Sequence, residues 1–429
     1  MVGSVTVPKR LVLPNGLTVV TASARGAPVF TAMLVVEAGS RYDPEGSAGL
    51  AALVGGVVLE GSTSRSASSL AVAVDSMGSA LDTVTGYETT AVIASGLAVH
   101  CHESLRVLSE VATSPAFASA AVVESVRRQL AELADDEAQA YDVCRRGFIK
   151  TVFRGYTRRN PIGGLRETVS RLTGEDLKSF HRRNYRPGNA ILAIVGDLDA
   201  GELLDCAAES FGAWQGGGQP SDPPPPPTRQ RGRRVEAVAM DTKQVHISIG
   251  NLGIARSDPL FYATSVMDVI LGDSAGFGSR LATKLREEQG LAYVIESDAS
   301  GSAGLEPGVF WAYTATSPEH FERLVRGVMD ELRLMREEPP SAEELESAIG
   351  YLTGRDLLDR ETGEAVAGRL VHAERHALGL DFDARYPSII ASVSREDVLE
   401  AARRVIDPEN CSFVTVGPVT PRDGSLLDP

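Results

Sequence analysis

Residues 39–63 read GSRYDPEGSAGLAALVGGVVLEGST, and we take this stretch as the starting point for the fold. The turn-forming residues Asp43, Pro44 and Gly46 precede a small, apolar run at 48–59. This run is too short to cross a membrane, so it predicts a buried helix.

The same stretch resembles the start of the pitrilysin/insulinase metallopeptidases, in their two-subunit, processing-peptidase-like branch. The family phrase begins Gly-Ser-Arg-x-(Asp/Glu), continues to Gly-Leu-Ala and the zinc motif His-x-x-Glu-His, and ends at Gly-(Thr/Ser). The matching residues here are Gly39, Ser40, Arg41, Gly49, Leu50, Ala51, Gly61 and Ser62. The zinc motif would fall on residues 52–56, which read Ala-Leu-Val-Gly-Gly.

The residues at the motif positions cannot perform zinc hydrolysis. Such a site needs two imidazoles on one helical face and a carboxylate that takes a proton from bound water. Ala52 and Gly56 offer no ligand atom, and Gly55 offers no base. The resemblance implies a further glutamate ligand near Glu132, but one carboxylate does not hold zinc, and a solvated helix residue is the alternative for Glu132. We therefore expect no metal or other cofactor in this chain and no activity from it alone.

The length and the charge bound the class of protein. With 429 residues the chain is long for one core, so two domains are expected. The 57 acidic and 42 basic residues give a net charge of -15, which argues against nucleic acid and anionic membranes as partners. The charge is compatible with basic peptides, and simple solubility is the alternative.

The cysteines and the N-terminal residues indicate a compartment. Cys101, Cys144, Cys206 and Cys411 have no paired spacing, which suits a reducing environment. Residues 1–14 contain neither the apolar core of a secretory signal nor an amphipathic presequence. A bacterial-type cytoplasmic protein without a membrane span is the expectation.

A proline-rich stretch divides the chain. Residues 216–232 read GGGQPSDPPPPPTRQRG, and the proline run favours an extended conformation. We predict a first domain at 1–216, a linker at 217–232 and a second domain at 233–429. A ligand for a proline-recognition module is the alternative reading of the linker.

The second half repeats the first. Residues of the same type recur at one constant spacing, each pair separated by the same number of positions. The pairs are Asp176 and Asp397, Pro187 and Pro408, Asn189 and Asn410, and Gly196 and Gly417. A constant spacing over different residue types indicates duplication. The predicted fold class is α+β, with two homologous domains, each a β-sheet packed against helices, as the resemblance also implies.

Residues 271–293, LGDSAGFGSRLATKLREEQGLAY, form the second informative stretch. Gly272, Gly276 and Gly278 predict a mobile loop whose backbone can approach a substrate closely. No Gly-Lys-(Ser/Thr) follows, so the loop is not a phosphate motif. A helix is expected next, with Gly290 as its C-cap.

This stretch resembles the family phrase Ser-Arg-Leu-x-x-x-(Leu/Val)-Arg-Glu-x-x-Gly-Leu-Ala-Tyr. The resemblance implies that Arg286 and Tyr293 are catalytic residues that reach a zinc site and hold the substrate carbonyl. A guanidinium and a phenol are donors suited to a developing oxyanion. In the alternative reading, Arg286 pairs with a helix carboxylate such as Glu288, and Tyr293 is half-buried core.

Two histidine clusters could suggest a metal. Residues 372–376, HAERH, carry imidazoles at i and i+4, but no third ligand is evident, and a solvated helix face is the expectation. Residues 100–102, HCH, lie at a predicted strand-to-helix junction where the side chains diverge.

The functional hypothesis is a zinc-less, substrate-binding subunit of a heterodimeric metallopeptidase. Zinc would be supplied by a paralogous partner chain bearing His-x-x-Glu-His, and the substrate would be a peptide, possibly basic. The alternative is a structural protein similar to the core subunits of respiratory cytochrome complexes. Retention of Arg286 and Tyr293 favours the peptidase role.

Overall fold

The computed structural model describes residues 6–216, 226–273 and 278–419, and it confirms the predicted α+β class. The strands are β1 (Lys9–Val12), β2 (Thr18–Ser23), β3 (Val29–Val36), β4 (Ala80–Thr85), β5 (Thr90–Leu97), β6 (Ala190–Gly196), β7 (Arg234–Ala239), β8 (Val245–Leu252), β9 (Val294–Asp298), β10 (Val309–Thr316) and β11 (Ser412–Gly417). Among the described residues, no helix is both long and apolar enough to cross a membrane.

The α-helices pack against the two sheets. They are α1 (Leu50–Val57), α2 (Ala67–Ser76), α3 (Cys101–Thr113), α4 (Ser119–Ala138), α5 (Ala140–Val152), α6 (Arg166–Val169), α7 (Gly174–Asn184), α8 (Ala200–Phe211), α9 (Phe261–Asp268), α10 (Phe321–Glu337), α11 (Ala342–Leu358), α12 (Gly363–Arg375), α13 (Phe382–Ala391) and α14 (Arg395–Val405). Two π-helical segments, Val269–Asp273 and Ala282–Glu287, lie between α9 and β9.

The two sheets repeat one strand order. The first sheet runs β1-β2-β6-β3-β5-β4, and the second runs β7-β11-β8-β10-β9. β2 is parallel to β6 and β7 is parallel to β11, whereas the other neighbours in both sheets are antiparallel. Apart from the additional edge strand β1, the sheets are therefore equivalent, which confirms the internal duplication.

The repeated residues occupy equivalent places in a helix–turn–strand unit. Asp176 of α7 and Asp397 of α14 each complete a capping box, with Thr173 and Ser394 as the respective N-caps. In both halves a short 3-10 turn that begins with proline leads into a strand of the central sheet. The matched aspartates and prolines thus fix where the helix begins and where the chain enters the sheet.

The structure divides into two compact units. Each unit contains most of one half of the sequence and one segment from the other half. Ala134–Asn160 belongs to the second unit, and Leu357–Ala384 belongs to the first. The sequence predicts one long helix over 120–152, but Gln139 has extended backbone (φ -98°, ψ 119°) and separates α4 from α5. The boundary between the units lies inside α4, between Leu133 and Ala134, so the end of α4 and the whole of α5 belong to the second unit.

Apolar packing explains the exchange. Cys144, Phe148 and Val152 of α5 are buried against β8, β10 and β11 of the second sheet. In the first unit, Leu370 and Val371 of α12 are buried against β3 and β6. Each sheet therefore has one face covered by a helix from the other half of the sequence.

Because of this exchange, we expect residues 1–216 expressed alone to be insoluble or unfolded, since the face of the first sheet that α12 covers would be exposed to water. Co-expression with residues 226–429 should restore a folded, soluble complex. The measurement is circular dichroism and size-exclusion chromatography of each fragment and of the pair. A cooperatively folding 1–216 fragment would contradict this expectation.

A buried histidine links α7 to α3. The Nε2 atom of His181 lies 2.9 Å from the backbone oxygen of Ala112, and its ring stacks on Tyr185 at 4.5 Å. Phe117 approaches the same ring edge-on at 5.6 Å. Burial lowers the pKa of His181 to about 4, because its apolar surroundings disfavour the imidazolium.

We expect His181 to make the protein less stable in acid. The unfolded chain binds the proton near pH 6.5 and the folded chain only near pH 4, so the free energy of unfolding should fall as the pH drops through this window. The full loss is roughly 3 kcal/mol. Denaturant unfolding of the wild type and His181→Gln at pH 7 and pH 4.5 measures it. Equal pH dependence of the two proteins would contradict the prediction.

Candidate functional site

The helix at the motif positions, α1, is confirmed and is fixed at its start by an acidic side chain. Asp43 accepts hydrogen bonds from the backbone N–H groups of Gly49 (2.8 Å) and Ala51 (2.7 Å). Burial raises the pKa of Asp43 to about 7, against the opposing effect of these N–H donors. Gly49 has a φ of 96°, which favours glycine at this N-cap.

The two glycines of α1 face neighbouring side chains at close range. A β-carbon added to Gly55 would lie well inside 3.0 Å of Thr85 Oγ1 on β4. A β-carbon added to Gly56 would lie 3.4 Å from Nη2 of Arg128 on α4. A side chain at Gly55, the position of the general base, would therefore meet β4. The guanidinium of Arg128 lies beside Gly56, the position of one zinc ligand.

The residues of this region do not fit zinc. The guanidinium of Arg128 lies 3.3 Å from Ser125 Oγ and 3.7 Å from Glu60, so a positive charge lies beside the position of one metal ligand, Gly56. Glu132, near the expected place of the third ligand, is exposed to solvent. Among the described residues, no three His, Cys, Asp or Glu side chains are grouped to hold a metal ion.

The histidine clusters have other partners. In the HAERH segment, Arg375 pairs with Glu37 and Glu88, and its neighbour Glu374 accepts hydrogen bonds from Arg10. In the HCH segment, His102 Nε2 lies 2.6 Å from Glu209 Oε2, and burial raises the pKa of the Cys101 thiol to about 12. These contacts tie elements of the first unit together.

The glycines of the second stretch differ in their surroundings. Gly272 lies in the first π-helical segment, and a β-carbon there would be 2.7 Å from the backbone nitrogen of Ser297 on β9. Gly278 has no atom within 4 Å of that position. Gly276 lies outside the described residues. Gly272 is thus required for close packing, whereas Gly278 leaves its backbone accessible.

A buried carboxylate fixes the start of this stretch. Asp268 accepts hydrogen bonds from Ser297 Oγ and from the N–H of Ala299, both at 2.6 Å. It is 1% exposed, and burial raises its pKa well above the ordinary value. Burial, followed by the charge of Asp298, also raises the pKa of Asp273 to about 6.

Arg286 and Tyr293 lie on either side of the turn at Gly290. The C-cap of the helical segment is Glu288, and the predicted Gly290 lies two residues later, where it has a φ of 64° and its N–H donates to the Arg286 carbonyl. Arg286 is 26% exposed and pairs with the neighbouring carboxylate of Glu287 at 3.2 Å, as the alternative interpretation expects of a helix carboxylate. Tyr293 is 80% exposed, so it is not core.

The sequence did not reveal the residues that hold this segment. Arg280 pairs with Glu344 of α11, and Lys284 pairs with Glu331 of α10. Arg280 belongs to the family phrase, which was the one available signal for it. Lys284 and Glu331 had none, because a charged residue on a helix is ordinarily solvated.

Two family models match the chain. The model described as Insulinase (Peptidase family M16) matches residues 18–164, and the model described as Peptidase M16 inactive domain matches residues 171–352. An uncharacterized zinc protease of Streptomyces coelicolor is 28% identical over 98% of this chain and 91% of that protein. A probable mitochondrial-processing peptidase subunit beta of Schizosaccharomyces pombe is 25% identical over 95% and 90%.

Solved structures share the fold. A crystal structure titled peptidase M16 inactive domain, from Pseudomonas fluorescens, has a TM-score of 0.90 at 22% identity and covers 97% of this chain and 99% of that chain. A chain of Complex III2 from Candida albicans has a TM-score of 0.81 at 18% identity and covers 96% of each chain. With the two family models matching successive parts of the sequence, the chain belongs to the insulinase family, peptidase family M16.

Proposed function

We propose that this chain is the non-zinc, substrate-binding subunit of a heterodimeric zinc metallopeptidase. In this proposal a paralogous partner carries zinc on a His-x-x-Glu-His helix, and this chain contributes Arg286 and Tyr293. The observation that carries the proposal is the packing of α1, where Gly55 is closed by Thr85 and Gly56 faces Arg128. The chain holds no cofactor of its own in this proposal.

The exposure of Tyr293 supports a role in binding. A tyrosine normally buries most of its ring, whereas this one is 80% exposed, and its hydroxyl has no hydrogen bond to the described part of the chain. Arg286, on the other side of the turn at Gly290, is an additional donor. Both can donate to a carbonyl oxygen, and their donors strengthen most when that oxygen becomes negative.

The edge of the first sheet supports peptide binding. Within the described residues, β4 pairs with β5 alone, so its outer N–H and C=O groups can pair with an extended peptide. Its side chains alternate between exposed and half-buried, as in a strand with one accessible face. β4 also packs against α1 through Thr85 and Gly55. A peptide on this edge would lie beside the former motif positions.

A structural role is the second candidate, favoured by the fold shared with the Complex III2 chain. That likeness is at 18% identity and concerns the fold alone. A scaffold would have no use for a tyrosine that is 80% exposed. The exposed Tyr293 therefore favours the peptidase subunit.

The purified chain should contain no stoichiometric zinc and should hydrolyse no peptide alone, because Ala52 and Gly56 provide no ligand atom. The measurement is metal analysis of protein purified without chelator, together with hydrolysis of a peptide library. Tightly bound zinc at one ion per chain, with chelator-sensitive hydrolysis, would contradict the proposal.

Tyr293→Phe should lower kcat of the assembled complex about a hundredfold, roughly 3 kcal/mol, because one donor to the developing oxyanion is lost. The ring is kept, so the melting temperature and assembly should not change. The measurement is steady-state hydrolysis by the reconstituted complex. Tyr351→Phe, which makes the same change in the same unit, is the matched control. Wild-type kcat in Tyr293→Phe would exclude this residue from the catalytic site.

A further inference from the structure

The segment that carries Arg286 is a π-helix, Ala282–Glu287. The N–H of Glu288 donates to the carbonyl of Thr283 at 2.9 Å, five residues back, instead of four as in an α-helix. Such a turn contains one extra residue, is rare, and often occurs at functional sites. Its persistence here requires contacts that outweigh the poorer backbone geometry.

One such contact is an ion pair with a buried carboxylate. Lys284 Nζ lies 2.6 Å from Oε1 of Glu331 on α10. Glu331 is 7% exposed, and its Oε2 has no hydrogen-bond partner in the described chain. Lys284 therefore supplies the contact that offsets the burial of this charge, and removing the lysine alone would leave it unpaired.

A second ion pair fixes the residue one turn earlier. Arg280 donates through Nε and Nη2 to the two carboxylate oxygens of Glu344, at 2.6 Å and 2.9 Å. These hydrogen bonds, ahead of the N–H of Ser341, lower the pKa of Glu344 to about 2. Glu344 Oε2 accepts that N–H at 2.7 Å, so the start of α11 and the start of the π-turn are tied to one carboxylate.

Packing fixes the residue immediately before Arg286. A β-carbon added to Gly327 of α10 would lie 2.5 Å from Cδ2 of Leu285, so Leu285 is seated directly on the α10 backbone. Leu285 itself is 2% exposed. The packing of Leu285 on Gly327 and the ion pair of Lys284 with Glu331 therefore hold two adjacent residues against α10.

These contacts decide the direction of Arg286. Without them the π-turn would open, so the Glu288 N–H would lose its hydrogen bond to the Thr283 carbonyl and the backbone that carries Arg286 would no longer be held in one direction. We propose that Lys284 and Glu331 are positioning residues, whose ion pair holds the π-turn and thereby orients Arg286 toward the substrate carbonyl. Only the orientation of Arg286 toward a substrate carbonyl rests on the proposed function. The part that concerns the ion pair and the π-turn does not.

The experiment removes both charges at once, in Lys284→Met/Glu331→Gln, so that no lone charge stays buried. In the isolated full-length chain, hydrogen exchange should show loss of protection at the Glu288 amide. In the reconstituted complex, kcat should fall roughly ten- to a hundredfold with KM unchanged, because a misdirected donor weakens the transition state. Lys284→Arg, which keeps the ion pair, should retain both properties.

Arg326→Met is the control, because Arg326 forms an exposed pair with Glu322 on the same helix at 3.9 Å. Unchanged exchange at Glu288 in the double variant would overturn the inference, whatever the complex does. Lost protection with wild-type kcat would also overturn it, since the turn would then not orient the site. Absence of hydrolysis by every complex, the wild type included, would contradict the proposed function instead, and the exchange result would still decide whether the pair holds the turn.

Discussion

The close approach of α1 to β4 is the packing constraint on which the proposed function depends. At Gly55 the two elements are separated by less than the space of a methyl group, because Thr85 Oγ1 occupies the direction in which a side chain would extend. Asp43 fixes the start of α1 through the N–H groups of Gly49 and Ala51, so the helix cannot easily move away. The position that corresponds to the family's general base, Gly55, is therefore used for packing.

The equivalent region of the second unit has different physical properties. There the chain between α9 and β9 departs from α-helical geometry in two places, and ion pairs to α10 and α11 hold the second of them. π-Helical turns held by specific side chains often occur where side-chain direction matters for function. The first unit has no ligand side chain at positions 52 and 56, whereas the second unit carries Arg286 on an irregular turn held by ion pairs.

Much of the fold could be predicted from the sequence. The constant spacing between Asp176 and Asp397, and between their following prolines, revealed the duplication because caps and turns require particular residue types. The exchange of α5 and α12 could not be predicted, since an apolar helix face fits either sheet. The π-turn was also hidden, because Leu281 and Leu285 keep helical spacing while only the backbone hydrogen bonds shift. Gly272 was predicted to bind substrate, but it packs against Ser297, and its role in binding stays a prediction.

A variant with the complete zinc motif in α1 can show whether packing alone keeps zinc out of this region. The variant Ala52→His/Gly55→Glu/Gly56→His supplies every motif residue. Metal analysis and a thermal melt of this variant then show whether zinc is excluded only because the ligand residues are missing or also because neighbouring side chains close the site. Because Thr85 obstructs a side chain at position 55, the Arg128 guanidinium lies beside position 56 and Glu132 is exposed, we expect no stoichiometric zinc and a lower melting temperature than the wild type. Stoichiometric, tightly bound zinc in a variant as stable as the wild type would contradict the claim that packing has closed this site.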